Sequence, residues 1–412
     1  MWLVEIVEGG DRRIRARNIV LVVVSSLLAA AFLLGLARCS RVLLWGWQDS
    51  YVDFDAYRIA AEMFKAGLGA SAYHLRDLVA FRHAFFPDLH PLSWAYPPQF
   101  VLVVEALEPL PLGVAYALFM LTSLAAYASA IGRLAPGRFG TLAILLAPSF
   151  AMLLRCGQNG FLSGALMGWA ALGLVEGRAS AGAALGLMAI KPHLAVSMAL
   201  NALLSQRWKF VAVAAAAVAA TSAAATLAYG AQIWPAFSRG VHEAGVFLAV
   251  GYFPSYRMIS FYAFLQSLGL SSSLCAALQS FAAIAAVVAC HAALRRFTAR
   301  QAVAIAAVAA VTISPYAYDY DLPVFGVGLA LLIGDLERYG TSFERVTLYA
   351  TLIAVQFIGL ADALLVDTFS TGVKPVSVGF LSASVTMVVV WRVLERARAP
   401  QNVAAPLQSC PA

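Results

Sequence analysis

Charged residues are scarce in this chain: they make up 12% of its 412 residues, whereas hydrophobic residues make up 62%. A typical soluble domain has about a quarter charged and about half apolar residues, so this composition excludes an ordinary soluble protein. The short alternating strands of an outer-membrane barrel are also lacking. Apolar runs of roughly 20 residues recur instead, each long enough to cross a bilayer as a helix. The sequence therefore predicts an all-α, polytopic integral membrane protein.

Cysteine is also rare, and the five cysteines are scattered without the spacing of metal ligands. Most lie in apolar runs, so we interpret them as small buried side chains and expect no metal site. The formal net charge is +7, but the basic residues cluster at the ends of apolar segments. That arrangement is typical of topology signals and lipid contacts, and it argues against nucleic acid as a partner.

The first apolar run, residues 19–37, follows the basic segment DRRIRAR. Because no small-residue cleavage site comes after it, we interpret it as an uncleaved first span whose N-terminus is cytoplasmic. Later basic clusters indicate that both termini lie in the cytoplasm. We expect a multi-pass protein of the cell (inner) membrane with about 11 to 13 spans. Further spans are predicted near 112–132, 140–155, 160–175, 211–229, 272–294, 301–315, 322–335, 346–365 and 376–392.

Two segments do not fit a simple span. Residues 98–107 would reach only about 15 Å as a helix, against a bilayer core of about 30 Å, so we predict a juxtamembrane or re-entrant helix. The segment 181–204 has Lys191-Pro192 at its centre and is either two half-helices or one kinked span. A rival topology lets 98–110 cross the membrane, which would move GQNG (157–160) to the cytoplasm. The arginine pattern disfavours it.

We expect one membrane domain over residues 1–400, followed by a disordered cytoplasmic tail at 401–412. The polar regions of the extracytoplasmic side are a first loop at 41–111, a second large loop at 230–271, and the short segments 155–160 and 314–321. A polar roof over a membrane base is typical of an enzyme that acts on a lipid headgroup. A transporter tends instead to bury ionisable groups at mid-membrane, often between two related halves.

The stretch SYVDFDAYRIAAEMFKAG, residues 50–67, places charges directly after the first span. Its helical phase puts Asp53 and Tyr57 one turn apart on one face of a short amphipathic helix. Asp53 or Asp55 is either a functional acid or the N-cap of a surface helix. Tyr96, in WAYPPQF, is either part of a rigid helix entry or a hydrogen-bond donor beside a site.

Isolated polar residues mark three further segments. Gln158 and Asn159 lie between glycines, and their amides either form a turn or bind hydroxyl groups. Lys191 is a cation in an apolar region that either snorkels or binds a phosphate, and His193 is either structural or part of the same site. Arg257 either belongs to an interfacial aromatic belt or grips a phosphate in bidentate fashion.

The segment SPYAYDYD, residues 314–321, places two acids among three tyrosines at the mouth of a helix. Aromatic and acidic side chains together suit sugar binding, and the alternative is a capped helix end in the interfacial belt. The candidates in this segment are Tyr318, Asp319, Tyr320 and Asp321.

In their order, these motifs resemble glycosyltransferase family 87. They are Asp-x-x-x-Tyr after the first span, Tyr-Pro-Pro before a short helix, Gly-Gln-Asn, AGAALGLMAIKP and a Ser-Pro-aromatic stretch, within roughly residues 18–340. Members are membrane enzymes of the GT-C fold, similar to polyprenyl-phosphate-mannose-dependent mannosyltransferases. The resemblance implies juxtamembrane helices and a catalytic carboxylate in the first extracytoplasmic loop, which matches Asp53, with Asp55 as the fallback. Related enzymes often carry a histidine after Ser-Pro; here Tyr320 or Asp321 takes its place, which leaves a different sugar or acceptor open.

The implied reaction is an inverting transfer of a hexose, mannose in the related enzymes, from a polyprenyl-phosphate donor to an acceptor hydroxyl. Asp53 would be the general base, and Lys191 or Arg257 would stabilise the departing phosphate. The lipid-linked sugar is a co-substrate, and no other cofactor and no metal are expected. The acceptor is a glycolipid or another glycan, membrane lipids are further partners, and the oligomeric state stays open. The remaining candidates would bind sugar or acceptor: Tyr57, Tyr96, Gln158, Asn159, His193, Tyr318, Asp319, Tyr320 and Asp321.

Two alternatives come from other functional classes. One is a transporter or flippase for a lipid-linked or small polar substrate, and the other is a non-catalytic membrane subunit or another lipid-modifying enzyme. The position of the ionisable groups distinguishes them, since an enzyme should gather these groups at one face and a transporter should bury them at mid-membrane.

Overall fold

A computed structural model of the chain describes residues 11–40, 53–83, 93–369 and 375–403. Within these ranges the chain is helical and has no β-strand; one isolated antiparallel bridge joins Met258 and Tyr318. The all-α prediction is confirmed.

The first half of the chain forms nine α-helices in the described residues. They are α1 (Asp11–Cys39), α2 (Asp53–Lys65), α3 (Gly69–Ala72), α4 (Leu75–His83), α5 (Pro98–Leu107), α6 (Leu112–Leu134), α7 (Phe139–Leu145), α8 (Ala147–Cys156) and α9 (Gly160–Glu176).

The second half adds ten more within the same described ranges. They are α10 (Gly182–Leu187), α11 (Pro192–Leu204), α12 (Trp208–Tyr229), α13 (Ile233–Ala249), α14 (Phe261–Ser267), α15 (Ser272–Arg296), α16 (Ala299–Ile313), α17 (Leu322–Tyr339), α18 (Ser342–Phe369) and α19 (Phe380–Val403). Short 3₁₀ helices at Ala179–Ala181, Met188–Ile190, Ser255–Arg257 and Asp319–Asp321 connect some of them.

Five helices of the described chain are long and apolar enough to cross a membrane: α1, α6, α12, α15 and α18. The pair α7 and α8 would be a sixth if it is one broken span, and five shorter apolar helices lie among them. The chain is therefore a polytopic membrane protein, as the composition predicts. The number of 11 to 13 spans stays a prediction.

Several predicted boundaries need correction. Residues 140–155 are not one straight span, because α7 and α8 meet at a bend of 76°. Pro148, in the first turn of α8, lacks the N–H that would continue the preceding helix. The loop 230–271 is largely helical, since it contains α13 and α14. Helix α19 continues to Val403, past the predicted start of the tail at 401, and 404–412 lie outside the described residues.

Other local predictions agree with the structure. The short helix α5 covers Pro98–Leu107 and packs against α2; its position beside the membrane stays a prediction. The segment 181–204 is two helices, α10 and α11, with a 3₁₀ turn before Lys191 between them. Proline at the first position of α11 starts a helix well but cannot continue one, which explains the break.

Helix α16 forms the centre of the helical body. Its residues Ala302–Val311 are all buried, and it packs against α11, α15 and α17. Alanine is the main residue here, so neighbouring helices approach closely. Helix α9 packs against both α6 and α17. The helices α2, α9, α11 and α17 all begin at the same end of this body, because the residues at their starts contact one another, as described below.

Candidate active site

Asp53 is the first residue of α2, and its partly exposed carboxylate is bonded to a side chain from far along the chain. Nε2 of Gln158 lies 3.1 Å from Oδ2 of Asp53. An ionised carboxylate only accepts hydrogen bonds, so the donating nitrogen of the amide must face it. The amide oxygen of Gln158 is therefore directed to the opposite side.

Two tyrosines bind that oxygen. The hydroxyl of Tyr57 donates to Oε1 of Gln158 at 2.7 Å, and the hydroxyl of Tyr96 donates to the same atom at 2.8 Å. Burial raises the pKa of both hydroxyls above the ordinary value, so both remain protonated donors. Three hydrogen bonds thus fix the orientation of the Gln158 amide, and with it the donor that faces Asp53.

The glycines around Gln158 and Asn159 are required by the backbone. Gly157 ends α8 with φ at 70°, in the left-handed region that glycine adopts without strain. Gly160 begins α9, and a Cβ placed on it would overlap the carbonyl oxygen of Tyr320. The pattern GQNG therefore combines a sharp helix end with a close approach to the segment before α17.

A second polar group lies between α11 and α17. Nζ of Lys191 is 2.6 Å from Oδ1 of Asp321, and the two side chains are only 5% and 2% exposed. The other oxygen of Asp321 accepts from the backbone N–H of Tyr318 at 3.0 Å. An unpaired charge is costly to bury in an apolar environment. The ion pair therefore offsets the cost of burying each of the two groups.

Arg257 forms a second ion pair beside the first. Its Nε and one terminal nitrogen each lie 3.2 Å from one oxygen of Asp319, which is the two-point geometry that a guanidinium favours. The backbone N–H of Tyr320 also donates to Asp319, at 2.8 Å. Burial raises the pKa of the Asp319 carboxyl, and the neighbouring guanidinium opposes that shift.

The ring of Tyr320 connects the two ion pairs. Nζ of Lys191 lies 4.9 Å from the ring centroid, and the Arg257 guanidinium carbon lies 5.5 Å from it. Both distances are within the range of cation–π attraction. The ring of Tyr318 stacks on that of Tyr320, with centroids 4.9 Å apart and planes 8° from parallel. The two cations and the two rings thus pack together as one buried cluster.

The two polar groups are close enough to act together. Asp53 interacts electrostatically with Arg257, and Asp321 does so with Tyr96. We name the combined set the roof cluster: Asp53, Tyr57, Tyr96, Gln158, Asn159, Lys191, His193, Arg257, Tyr318, Asp319, Tyr320 and Asp321. Because its members stand at or near helix ends, the roof cluster lies at one end of the helical body. The contact between Asp53 and Gln158 disfavours the rival topology, which would place these two residues on opposite sides of the membrane.

Two members of the roof cluster carry buried polar atoms without a hydrogen-bond partner in the described residues. Asn159 is fully buried, yet neither its amide nitrogen nor its amide oxygen is bonded. Nε2 of His193 is in the same situation. A buried polar group left unpaired costs about 1–3 kcal/mol, so such groups indicate a place where a ligand or water supplies the missing bonds.

Asp55 is placed differently from Asp53. It lies two residues further along α2, about 200° around the helix axis, and it is 2% exposed. The fallback residue therefore does not share the face on which Asp53 meets Gln158.

The sequence did not predict the carboxylate partners of the cations. Lys191 and Arg257 were expected to bind a phosphate, and each is paired with an aspartate expected to bind sugar. Cys156 was also missed; a terminal nitrogen of Arg257 lies 3.5 Å from its sulfur. The sequence did not predict this contact of Cys156, because the scattered cysteines were interpreted only as small buried apolar side chains.

Comparison with known proteins gives one match. A family model described as glycosyltransferase family 87 matches residues 94–315, more than half of the chain. The match contains Gln158, Lys191 and Arg257, whereas Asp53 precedes it and Asp321 follows it. No curated protein and no solved structure matches the chain.

Proposed function

The chain belongs to glycosyltransferase family 87 and is a membrane glycosyltransferase, and on this premise we propose that it transfers a hexose, mannose in the first instance, from a polyprenyl-phosphate donor to an acceptor hydroxyl. The roof cluster would be the active site, on the extracytoplasmic side of the cell inner membrane. The observation that carries the proposal is the oriented carboxylate of Asp53, which interacts electrostatically with Arg257 and lies at the same end of the helical body as Lys191.

In this reaction Asp53 acts as the general base. The acceptor oxygen forms a bond to the anomeric carbon while its proton passes to the Asp53 carboxylate. The bond between the anomeric carbon and the phosphate oxygen breaks, and its electron pair leaves with the phosphate. A single displacement of this kind inverts the anomeric centre. Gln158 assists as a positioning residue, because its N–H keeps one carboxylate oxygen in place while the other remains available.

The donor phosphate would bind at Lys191 and Arg257. One N–H of the Lys191 ammonium points to Asp321, and Nη1 of Arg257 takes no part in the two-point contact with Asp319. Donors therefore remain for phosphate oxygens. The aspartates neutralise much of the positive charge, so the cations orient a bound phosphate more than they attract it from a distance. A lipid phosphate is itself a good leaving group, and no strong general acid is then required.

The sugar would be held by aromatic faces and unpaired amides. The stacked rings of Tyr318 and Tyr320 would form one wall of the sugar site, and the amide of Asn159, which has no hydrogen-bond partner in the described residues, would provide a donor and an acceptor for sugar hydroxyls. His193 interacts electrostatically with Asp321. We assign it to sugar or acceptor binding.

The transport alternative is less well supported. The charged members of the roof cluster flank helix starts, and Asp53 is partly exposed. A site that must open to both sides of the membrane is expected near the middle of the helices.

The test is donor use by the purified protein. Polyprenyl-phosphate mannose and a nucleotide-linked mannose are supplied separately with a membrane glycan extract as acceptor, and labelled product is measured. We expect product only from the lipid-linked donor. Product formed from the nucleotide sugar alone would overturn the proposed donor, and movement of intact donor across vesicles without product would favour transport.

A further inference from the structure

A groove lies at the opposite end of the helical body from the roof cluster, between α18 and α19. Helix α17 begins beside Asp321 and its 18 residues span about 27 Å, so its last residue, Tyr339, lies at the far end. Helix α18 starts just after it. Helix α19 starts near the roof cluster, where Ser377 donates to the Met258 carbonyl oxygen at 2.8 Å, and runs toward the same far end.

The groove has an apolar inner part and a basic outer part. Its volume is about 610 Å³. Valines of α19 line the inner part, and Val388 is 59% exposed there. The arginines Arg392 and Arg396 come later along α19 and therefore line the outer part, at the level where α18 begins. Hydroxyl side chains add polar groups: Thr341, Thr347 and Ser384.

Glu344 does not cancel this positive charge. Its carboxylate accepts from the backbone and hydroxyl of Thr341 at 2.9 and 3.0 Å, which caps α18. It also binds Arg396 through two hydrogen bonds of 2.6 and 3.0 Å. Nε of Arg392 lies 3.9 Å from Oε1 of Glu344, which is too far for a hydrogen bond, and the Arg392 side chain is 72% exposed. One carboxylate thus faces two guanidinium groups, and Arg392 is the one open to a ligand.

We propose that this groove binds an anionic phospholipid of the bilayer. The phosphate would contact Arg392 at the outer part, and one acyl chain would lie along the valines of α19. Basic groups at the mouth of an apolar groove between membrane helices match the two parts of such a lipid. This site is independent of the proposed transfer reaction, since none of its residues belongs to the roof cluster.

The C-terminal segment of the chain is a competing occupant of the groove, but it lacks the negative side chains that Arg392 would attract. The segment 404–412 of the chain follows α19 and has no acidic side chain that would pair with Arg392. A second copy of the chain would have to bring an acidic surface to the same place. Both become outcomes of the test.

The experiment uses the full chain in mild detergent. Native mass spectrometry measures retained lipid when phosphatidylglycerol or phosphatidylcholine with identical acyl chains is added. We expect phosphatidylglycerol to bind about 10-fold more tightly, and Arg392→Gln to reduce its affinity about 5-fold without changing that of phosphatidylcholine. Inorganic phosphate added in excess should not displace the lipid, because it cannot fill the apolar part.

Two further variants keep the test decisive. Arg295→Gln is the matched control. Arg295 is an exposed arginine in the last turn of α15, and the next residue, Arg296, forms an ion pair with Glu395 of α19. Arg295 is therefore near α19 but does not line the groove. Its replacement should leave lipid binding unchanged. Val388→Trp fills the groove and should reduce retention of both lipids. The proposal fails if both lipids bind equally, if Arg295→Gln weakens binding as much as Arg392→Gln, if Val388→Trp has no effect, or if a dimer or the C-terminal segment occupies the groove instead.

Discussion

Gln158 holds the carboxylate of Asp53 from 105 positions away along the chain, with its Nε2 donating to Oδ2 at 3.1 Å. The same amide accepts from Tyr57 and Tyr96. The acid at the start of α2 is thereby fixed to the turn between α8 and α9, and four side chains from three regions act as one unit.

Replacing Asp53 by Asn should abolish most transfer. The amide has nearly the same shape but cannot take the acceptor proton, so we expect kcat to fall roughly 10²–10⁴-fold. Rates are measured with a synthetic polyprenyl-phosphate sugar, and the melting temperature is recorded in parallel. Asp77→Asn is the control, because Asp77 is an exposed acid of α4 and should tolerate the change. Full activity of Asp53→Asn would remove this residue from the mechanism.

Variants of Gln158 should separate positioning from folding. Gln158→Glu keeps an acceptor for the two tyrosines but places a second carboxyl beside Asp53, where the two either repel each other or share a proton, so activity should fall roughly 10-fold or more. The melting temperature should fall less than in a variant that has no polar group at this position. Gln158→Leu removes all three bonds. The hydroxyls of Tyr57 and Tyr96 lie 3.3 Å apart, so one can still donate to the other and one buried donor is left unpaired, at a cost of about 1–3 kcal/mol. The Gln158→Leu variant should lose both activity and stability. Equal melting temperatures for the two variants would contradict the network described here.

The buried pair of Lys191 and Asp321 should show strong coupling. Lys191→Met leaves Asp321 without its partner in a dry environment, and the free energy of unfolding should fall by about 3–5 kcal/mol. The double variant Lys191→Met, Asp321→Asn should recover part of that loss, because no lone charge remains. Thermal unfolding in detergent measures both. In the double variant the KM for the lipid donor should still rise, and an unchanged KM would count against a phosphate role for Lys191.

Gly160 should tolerate no side chain. In Gly160→Ala the new methyl group overlaps the Tyr320 carbonyl oxygen, so α9 and the segment before α17 must move apart. We expect a loss of about 1–3 kcal/mol. Gly132→Ala is the matched control, since nothing lies within 4 Å of a Cβ at Gly132 in α6. That variant should be neutral or more stable by up to about 1 kcal/mol. Similar melting temperatures for the two variants would show that the contact at Gly160 is not tight.

The helices could largely be predicted from the sequence because their signals are local. Apolar runs gave the long helices, and the proline of Tyr-Pro-Pro gave the start of α5 at Pro98. The break within residues 140–155 was missed, although Pro148 was visible. A proline inside a long apolar run is compatible with either a kinked span or two helices, and only packing decides between them.

The candidate site was predictable as a set of residues but not as a set of bonds. Each polar residue could be identified as a candidate by itself, because its neighbours in the sequence are apolar. The pairing of Lys191 with Asp321, 130 positions apart, left no local trace. Ion pairs between distant segments depend on how α11 and α17 pack, and neither helical phase nor spacing encodes that.

The tight contact at Gly160 also constrains any redesign of the roof cluster. The carbonyl oxygen of Tyr320 lies against the α-carbon of Gly160, so the distance between α9 and the segment before α17 is set by main-chain atoms. Side-chain libraries for this region should therefore leave both positions unvaried and explore Asn159 and His193, whose replacement breaks no side-chain hydrogen bond at the unpaired atoms.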